Sequence, residues 1–558
     1  LIYRLILIFL LGIPTASARN LLIHNGEIIT LEPDRPVVEA VLVREDRILF
    51  AGSLEEAKQH SKVEFDEIDL NGNVMYPGFI EAHGHLMSYG FSQLNLDLSD
   101  VKNYDELIER VASAASVAEA DEWIVGRGWH QSKWTPQPEM VGGFQTHDKL
   151  SQATPDNPVY LVHASGHAAM ANAKAMELAE ITGETSFSED GEIVKDENGN
   201  PTGILNELAQ RLVAGKIPSP SHSRRQLALK QALNGLARHG ITSFQDAGSG
   251  SDDIRMFEEF LSDGQLTARL WLMLSGGDEW LLKRWLGRGP SINRGNHFLT
   301  IRAIKLVADG ALGSRGAWLL EPYSDAENSV GIPTMTPAYM EDIAMKGAAA
   351  GFQIGTHAIG DRANREVLDI YEKVYASFDT DLRFRIEHAQ HISTEDIPRF
   401  GQLGVIASMQ GIHMSSDRPW AIDRLGDKRI KEGAYVWRKL IDTGAVIANG
   451  TDVPVEPANP VASFYSLVTR QTLKGQPPGG YEPEQKLTRM EALRSYTIDA
   501  AYAAFEEKDK GSIKPGKLAD FTVLDTNLMS VPDAEILSAR TVMTIVGGKL
   551  VYSMPSEP

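Results

Sequence analysis

The chain has 558 residues, 42% hydrophobic and 23% charged, an ordinary globular composition with ample material for a sizeable core. A formal net charge of -21 makes a surface that repels phosphate backbones, which argues against a nucleic-acid role. With no cysteine there is no disulfide framework and no thiolate ligand, so any metal must sit on His, carboxylate or a modified side chain.

The first segment, LIYRLILIFLLGIPTASA, places Arg4 before an apolar run and the small residues Ala16-Ser17-Ala18 before Arg19. This pattern predicts a signal peptide over 1–18 and export to the periplasm or medium; a short anchor or a buried first helix is the alternative. LLIHNGEIITLE and AVLVREDRILFAG then read as short strands joined by turns. GSIKPGKLADFTVLD and RTVMTIVGGKLVYS repeat the pattern at the far end. Both ends are therefore expected to share a small composite β-sandwich domain, 19–75 with 508–558, around an inserted middle.

In that middle, 76–507, apolar strand-like runs alternate with helical stretches, which predicts a parallel α/β architecture. The strand candidates are MYPGFIEA, ITSFQDA, ARLWLML, IRAIKLV, FQIGTHA, RFRIEHA, GVIASM and AVIANGT, enough to close a TIM-type (β/α)8 barrel. SRRQLALKQALNGLARHG and PAYMEDIAMKGAAAG are helices between them. The region of about 121–223 carries strand-like pieces of its own and reads as an insertion over the barrel mouth.

Chemistry concentrates at the strand ends. In His83-Gly84-His85 the two imidazoles stand at i and i+2 and project to one side of the first barrel strand. An HxH alone is weak evidence. Lys305 interrupts an otherwise apolar strand, His357 and His388 end the fifth and sixth, and Asp452 ends the eighth. Barrel enzymes place catalytic groups at these ends, and imidazoles and carboxylates there can converge on divalent ions. Taken singly, Asp452 also reads as a cap before Pro454, and Lys305 as a plain lysine paired with Asp309 beside one metal. His163 and His167 lie in the insertion and are either pocket or structural residues. Asp309 and Arg315 bind substrate or tie down Gly310 and Gly313, and Gln410 and His413 follow the seventh strand.

The order of these residues, with the blocks PGFIEAHGHL, KLVADGALGSR, THAIGDRA, RIEHAQ, ASMQGIH and NGTDVPVEPANP, resembles the amidohydrolase superfamily, in its amidohydrolase-3 or YtcJ-like branch, which includes N-substituted formamide deformylases. Glu81, Gly411 and Thr451 depart from the branch's usual aspartate, proline and serine. The resemblance implies metal ligation by His83, His85, Lys305, His357, His388 and Asp452. It implies two Zn2+ ions, with Mn2+ or Fe2+ as alternatives, bridged by a CO2-derived carbamate on Lys305. A metal-bridged hydroxide would then cleave a non-peptide carbon–nitrogen bond of a small amide, with Asp452 as general base and acid. His163, His167, Asp309, Arg315 and Gln410 are its expected substrate contacts. Ester, lactone or phosphoester hydrolysis on the same site, or a non-catalytic secreted binding protein, are the competing readings. The expected partner is a small-molecule substrate, with a homodimer as an option and no stable membrane insertion after signal cleavage.

Overall fold

The computed structural model describes residues 20–60, 65–131, 134–164, 168–187 and 191–555. The expected signal segment and His167 lie outside the described residues. The chain divides into two compact units, one of residues 1–88 with 232–558 and one of residues 89–231.

Eight parallel strands dominate the first unit. They are β1 (Phe79–Gly84), β2 (Ile241–Ser249), β3 (Arg269–Ser275), β4 (Leu299–Val307), β5 (Gln353–Ala358), β6 (Arg385–His388), β7 (Ile406–Met409) and β8 (Ile447–Asn449). Each pairs in parallel with the next in this order. The seam between β8 and β1 is joined just past β8, where Asp452 N–H donates to His83 O at 2.8 Å and His85 N–H to Val453 O at 2.8 Å. Gly450 permits that approach: a Cβ there would sit 2.4 Å from Glu81 Oε1 and 2.6 Å from His83 N. The strands are buried on both sides, as a barrel covered by helices requires. The TIM-type (β/α)8 expectation holds.

The helices obey the same patterning. In Asp361–Ser377, Val367, Leu368, Ile370, Tyr371 and Val374 recur at helical spacing and are buried. Pro337–Ala349 starts at Thr336, whose hydroxyl accepts from Tyr339 N–H at 3.3 Å, and is followed by Gly351 at φ +84°.

Strands from both chain ends form one sheet in this unit. Leu21–Ile29 pairs with Val37–Arg44 and with Val74–Pro77, and Phe521–Leu524 joins antiparallel to Val74–Pro77 with Phe521 opposite Pro77. Ile23, Val41, Met75, Phe521, Val523 and Ile545 share its core. The buried guanidinium of Arg269, on β3, donates to both carboxylate oxygens of Asp520 at 2.7 and 3.0 Å, and so ties the barrel to this sheet.

The second unit holds a six-stranded sheet with Leu96–Asp97 at one edge and Gly191–Lys195 at the other. It begins upstream of the boundary expected near 121. Leu96–Asp97 pairs in parallel with Ile124–Trp129, and the helix Tyr104–Ala115 packs Leu107 and Val111 into the sheet's core. No described helix is long and apolar enough to cross a membrane.

Candidate metal centre

His83 lies at the end of β1 and His85 just past it, and Asp452 follows β8 across the seam. One ligand atom from each lies within 4.8 Å of the others. His85 Nε2 is 3.2 Å and His83 Nε2 3.5 Å from Asp452 Oδ1. Lys305, near the end of β4, brings Nζ to 3.5 Å from His83 Nε2. The His388 ring lies 4.7 Å from that of His83 and 4.5 Å from that of His357, centroid to centroid. The six residues therefore form one continuous chain of contacts around the barrel axis, contributed by β1, β4, β5, β6 and the loop after β8.

Two of these residues leave ordinary strand geometry. His388 and Asp452 adopt φ of +76° and +57°, a region that non-glycine residues seldom occupy and that clusters at functional sites. On β6 strict alternation sets Arg385 and Glu387 on one side and His388 on the other. The left-handed turn at His388 and Ala389 breaks that alternation where the histidine joins the ring cluster.

Burial governs the charge states. It pushes His83 down to about 4, with the Lys305 charge adding to the effect. It lowers the Lys305 ammonium from its ordinary value, and it holds His388 well below the usual imidazole range, helped by His357 and His83. Burial alone would raise Asp452, but the His85 imidazole beside it, then His83 and His388, hold the carboxyl well below the usual range. The cluster thus sets imidazoles, two of them with their basicity lowered by burial, about a carboxylate held toward its anionic form, a donor set suited to a divalent cation. Asp452 Oδ1 and His357 Nε2 are buried without a hydrogen bond, as atoms awaiting an ion would be. The residues fit a metal.

The other expected residues fall in several places. Gln410 Oε1 accepts from His388 Nδ1 at 2.8 Å, and the His413 ring stacks on His388 at 6.2 Å. Asp309 is buried and accepts three backbone N–H groups, those of Trp318, Ile359 and Gly360, at 2.8 to 3.0 Å; His357 Nε2 stands 3.4 Å away. Arg315, exposed on its loop, pairs with Asp325 at 2.9 Å. His163 ends the strand Val159–His163 of the second unit, its ring edge-on to Trp129 at 4.7 Å; Trp129 and Trp134 belong to that unit's core.

Sequence reasoning missed Glu387, Arg385 and Asp246. Glu387 Oε2 accepts from His83 Nδ1 at 2.5 Å, and Arg385 grips the same carboxylate. Asp246, on β2, accepts from Leu86 N–H and Ser249 Oγ, and burial raises its carboxyl. The signal was present for the first two: alternating charges inside the apolar strand RFRIEHA are as anomalous as Lys305 in its own strand. Glu81, noted only as a departure, is fully buried; it accepts from Thr451 N–H and Oγ, and burial pushes it up to about 8.

An eight-stranded barrel with histidines, a lysine and an aspartate gathered at its strand ends defines the class of metal-dependent hydrolases. Residues 66–552 match the amidohydrolase family. The chain is 32% identical to the putative amidohydrolase YtcJ of Bacillus subtilis, over 95% of this chain and 98% of that one. It is 27% identical to the N-substituted formamide deformylase of Arthrobacter pascens, over 96% and 98%. A crystal structure of an uncharacterized metal-dependent hydrolase from Pyrococcus horikoshii superposes with a TM-score of 0.77 at 28% identity, over 92% of this chain and 99% of that one. The chain belongs to the amidohydrolase family, in its YtcJ-like branch, and is a hydrolase acting on carbon–nitrogen bonds.

Proposed function

We propose that the enzyme cleaves the C–N bond of a small non-peptide amide, an N-acyl or N-formyl amine or a cyclic amide. His83, His85, Lys305, His357, His388 and Asp452 are its metal ligands in this reading. The observation that carries it is the buried Oδ1 of Asp452, without a hydrogen bond, 3.2 Å from His85 Nε2. A divalent ion bound there would acidify water and polarise the substrate carbonyl. Asp452, held anionic, takes one proton from the attacking water and passes it to the leaving nitrogen. The hydroxyl ends on the acyl carbon, so the products are a carboxylic acid and an amine. His388 is oriented by Gln410, which leaves its Nε2 for ligation.

Lys305 enters this reading as a carbamate. Its buried Nζ is driven toward the neutral amine, which adds CO2 with loss of a proton and becomes an anionic oxygen ligand. The formamide deformylase relative supports N-formyl amines as the first substrates to try. A panel of N-formyl and N-acyl amines, cyclic amides, lactones, esters and phosphoesters tests the proposal. Turnover of amides is expected; activity confined to esters or phosphoesters would overturn it.

A further inference from the structure

His83 is the most enclosed of the six candidate ligands, fully buried, and its Nδ1 points away from the others into a polar strut inside the barrel. The strut starts at Glu387, whose Oε2 accepts from His83 Nδ1 at 2.5 Å. Arg385 Nε donates to Glu387 Oε1 at 2.5 Å, and Nη2 reaches Oε2 at 3.2 Å. The same guanidinium is anchored on three further strands: by Ala82 O at 2.6 Å on β1, Gln245 Oε1 at 2.5 Å on β2 and Ser408 Oγ at 2.6 Å on β7. Arg385, Glu387, Gln245 and Ser408 are all essentially without solvent exposure. A buried charge pair of this kind is costly to assemble, and hydrophobic residues of similar volume would serve stability as well. Its geometry suits another task.

We propose that Glu387, locked by Arg385, is a positioning residue that fixes the proton of His83 on Nδ1 and so turns a bare Nε2 lone pair toward Lys305 and Asp452. The inference rests on the reading of this cluster as a metal centre, and it assigns the choice of His83 tautomer to two residues on β6. Because Arg385 claims Oε1, the carboxylate oxygen facing His83 is held as an acceptor only. Nδ1 must therefore be the donor, and Nε2, 3.5 Å from both Lys305 Nζ and Asp452 Oδ1, carries no proton.

Glu387→Gln inverts this logic at constant shape. Arg385 retains the amide oxygen, the amide NH2 faces Nδ1, and the His83 proton moves to Nε2. Two readouts follow on the full-length apo chain. Nitrogen-15 histidine NMR, with the His83 signals assigned by their loss in His83→Asn, is expected to show the Nδ1–H tautomer in the wild type and Nε2–H in Glu387→Gln. Zinc competition against a chromophoric chelator is expected to show affinity lowered by about 10–100-fold in Glu387→Gln. A wild-type His83 protonated on Nε2 overturns the inference whether or not the variant folds. Zinc affinity in a folded Glu387→Gln within about twofold of the wild type also overturns it. A wild type that takes up no zinc while showing the Nδ1–H tautomer overturns the metal reading itself, which separates the two failures.

Discussion

Oδ1 of Asp452, just past the last barrel strand, lies 3.2 Å from Nε2 of His85, just past the first. This pair bridges the barrel seam and brings the proposed base against the proposed ligands. Asp452→Asn removes the anion and the proposed metal ligand while keeping the side chain's shape. Turnover of an N-formyl amine should fall by about 10²–10⁴ or more, with the melting temperature nearly unchanged. A variant that hydrolyses normally would remove Asp452 from the chemistry.

Lys305 gives a prediction about carbon dioxide. If its buried amine carries a carbamate, apo-enzyme reconstituted in CO2-free buffer should take up metal slowly and incompletely, and added bicarbonate should restore uptake. Lys305→Ala should lose the bicarbonate response altogether. Equal metal uptake with and without bicarbonate would count against the carbamate.

Gly450, just past the eighth strand, packs tightly against the first. Gly450→Ala puts a methyl group 2.4 Å from Glu81 Oε1 and 2.6 Å from His83 N, both fixed parts of the closed barrel. The expected cost is about 1–3 kcal/mol, read from chemical denaturation, together with weaker metal binding because His83 is displaced. A variant with unchanged stability would mean that the seam opens more easily than its contacts imply.

The Arg269–Asp520 pair predicts how stability responds to acid. Burial alone would raise the Asp520 carboxyl, but the Arg269 charge and hydrogen bonds outweigh it and hold the group below its ordinary 3.8. The folded state therefore binds its proton later than the unfolded chain. The stabilisation is fully present above about 3.8 and is lost as pH falls through the lowered folded value. Arg269→Met leaves a buried unpaired carboxylate and should cost about 3–5 kcal/mol at neutral pH, while Arg269→Met with Asp520→Leu should recover most of it. Urea titrations at neutral pH check both; a single variant as stable as the wild type would refute the role of the pair.

Much of this architecture could be read from residue order because its strands are buried on both sides and announce themselves as apolar runs. β3 and β4 are examples, and the lysine in β4 stood out against that background. The candidate ligands were legible for the same reason: each stands at or near the end of such a run. Partner choice across the barrel was not legible. Glu387 and Arg385 matter through contacts with His83, Ala82, Gln245 and Ser408, which come from three other strands, and one-dimensional patterning cannot place those together. The left-handed backbone at His388 and Asp452 was equally hidden, since neither residue type demands it. Nor does residue order announce Leu96–Asp97, which is only two residues long and earns strand status by pairing with Ile124–Trp129.

The cluster at the barrel's strand ends is proposed to hold divalent metal. Elemental analysis of the full-length chain, purified without chelators, tests it most directly, with His83→Ala/His85→Ala prepared in parallel. One to two equivalents of zinc, manganese or iron are expected per wild-type chain, about the number that this ligand set can hold, and close to none in the double variant. A metal-free wild type that is nonetheless active, or a double variant that keeps the full metal content, would contradict it.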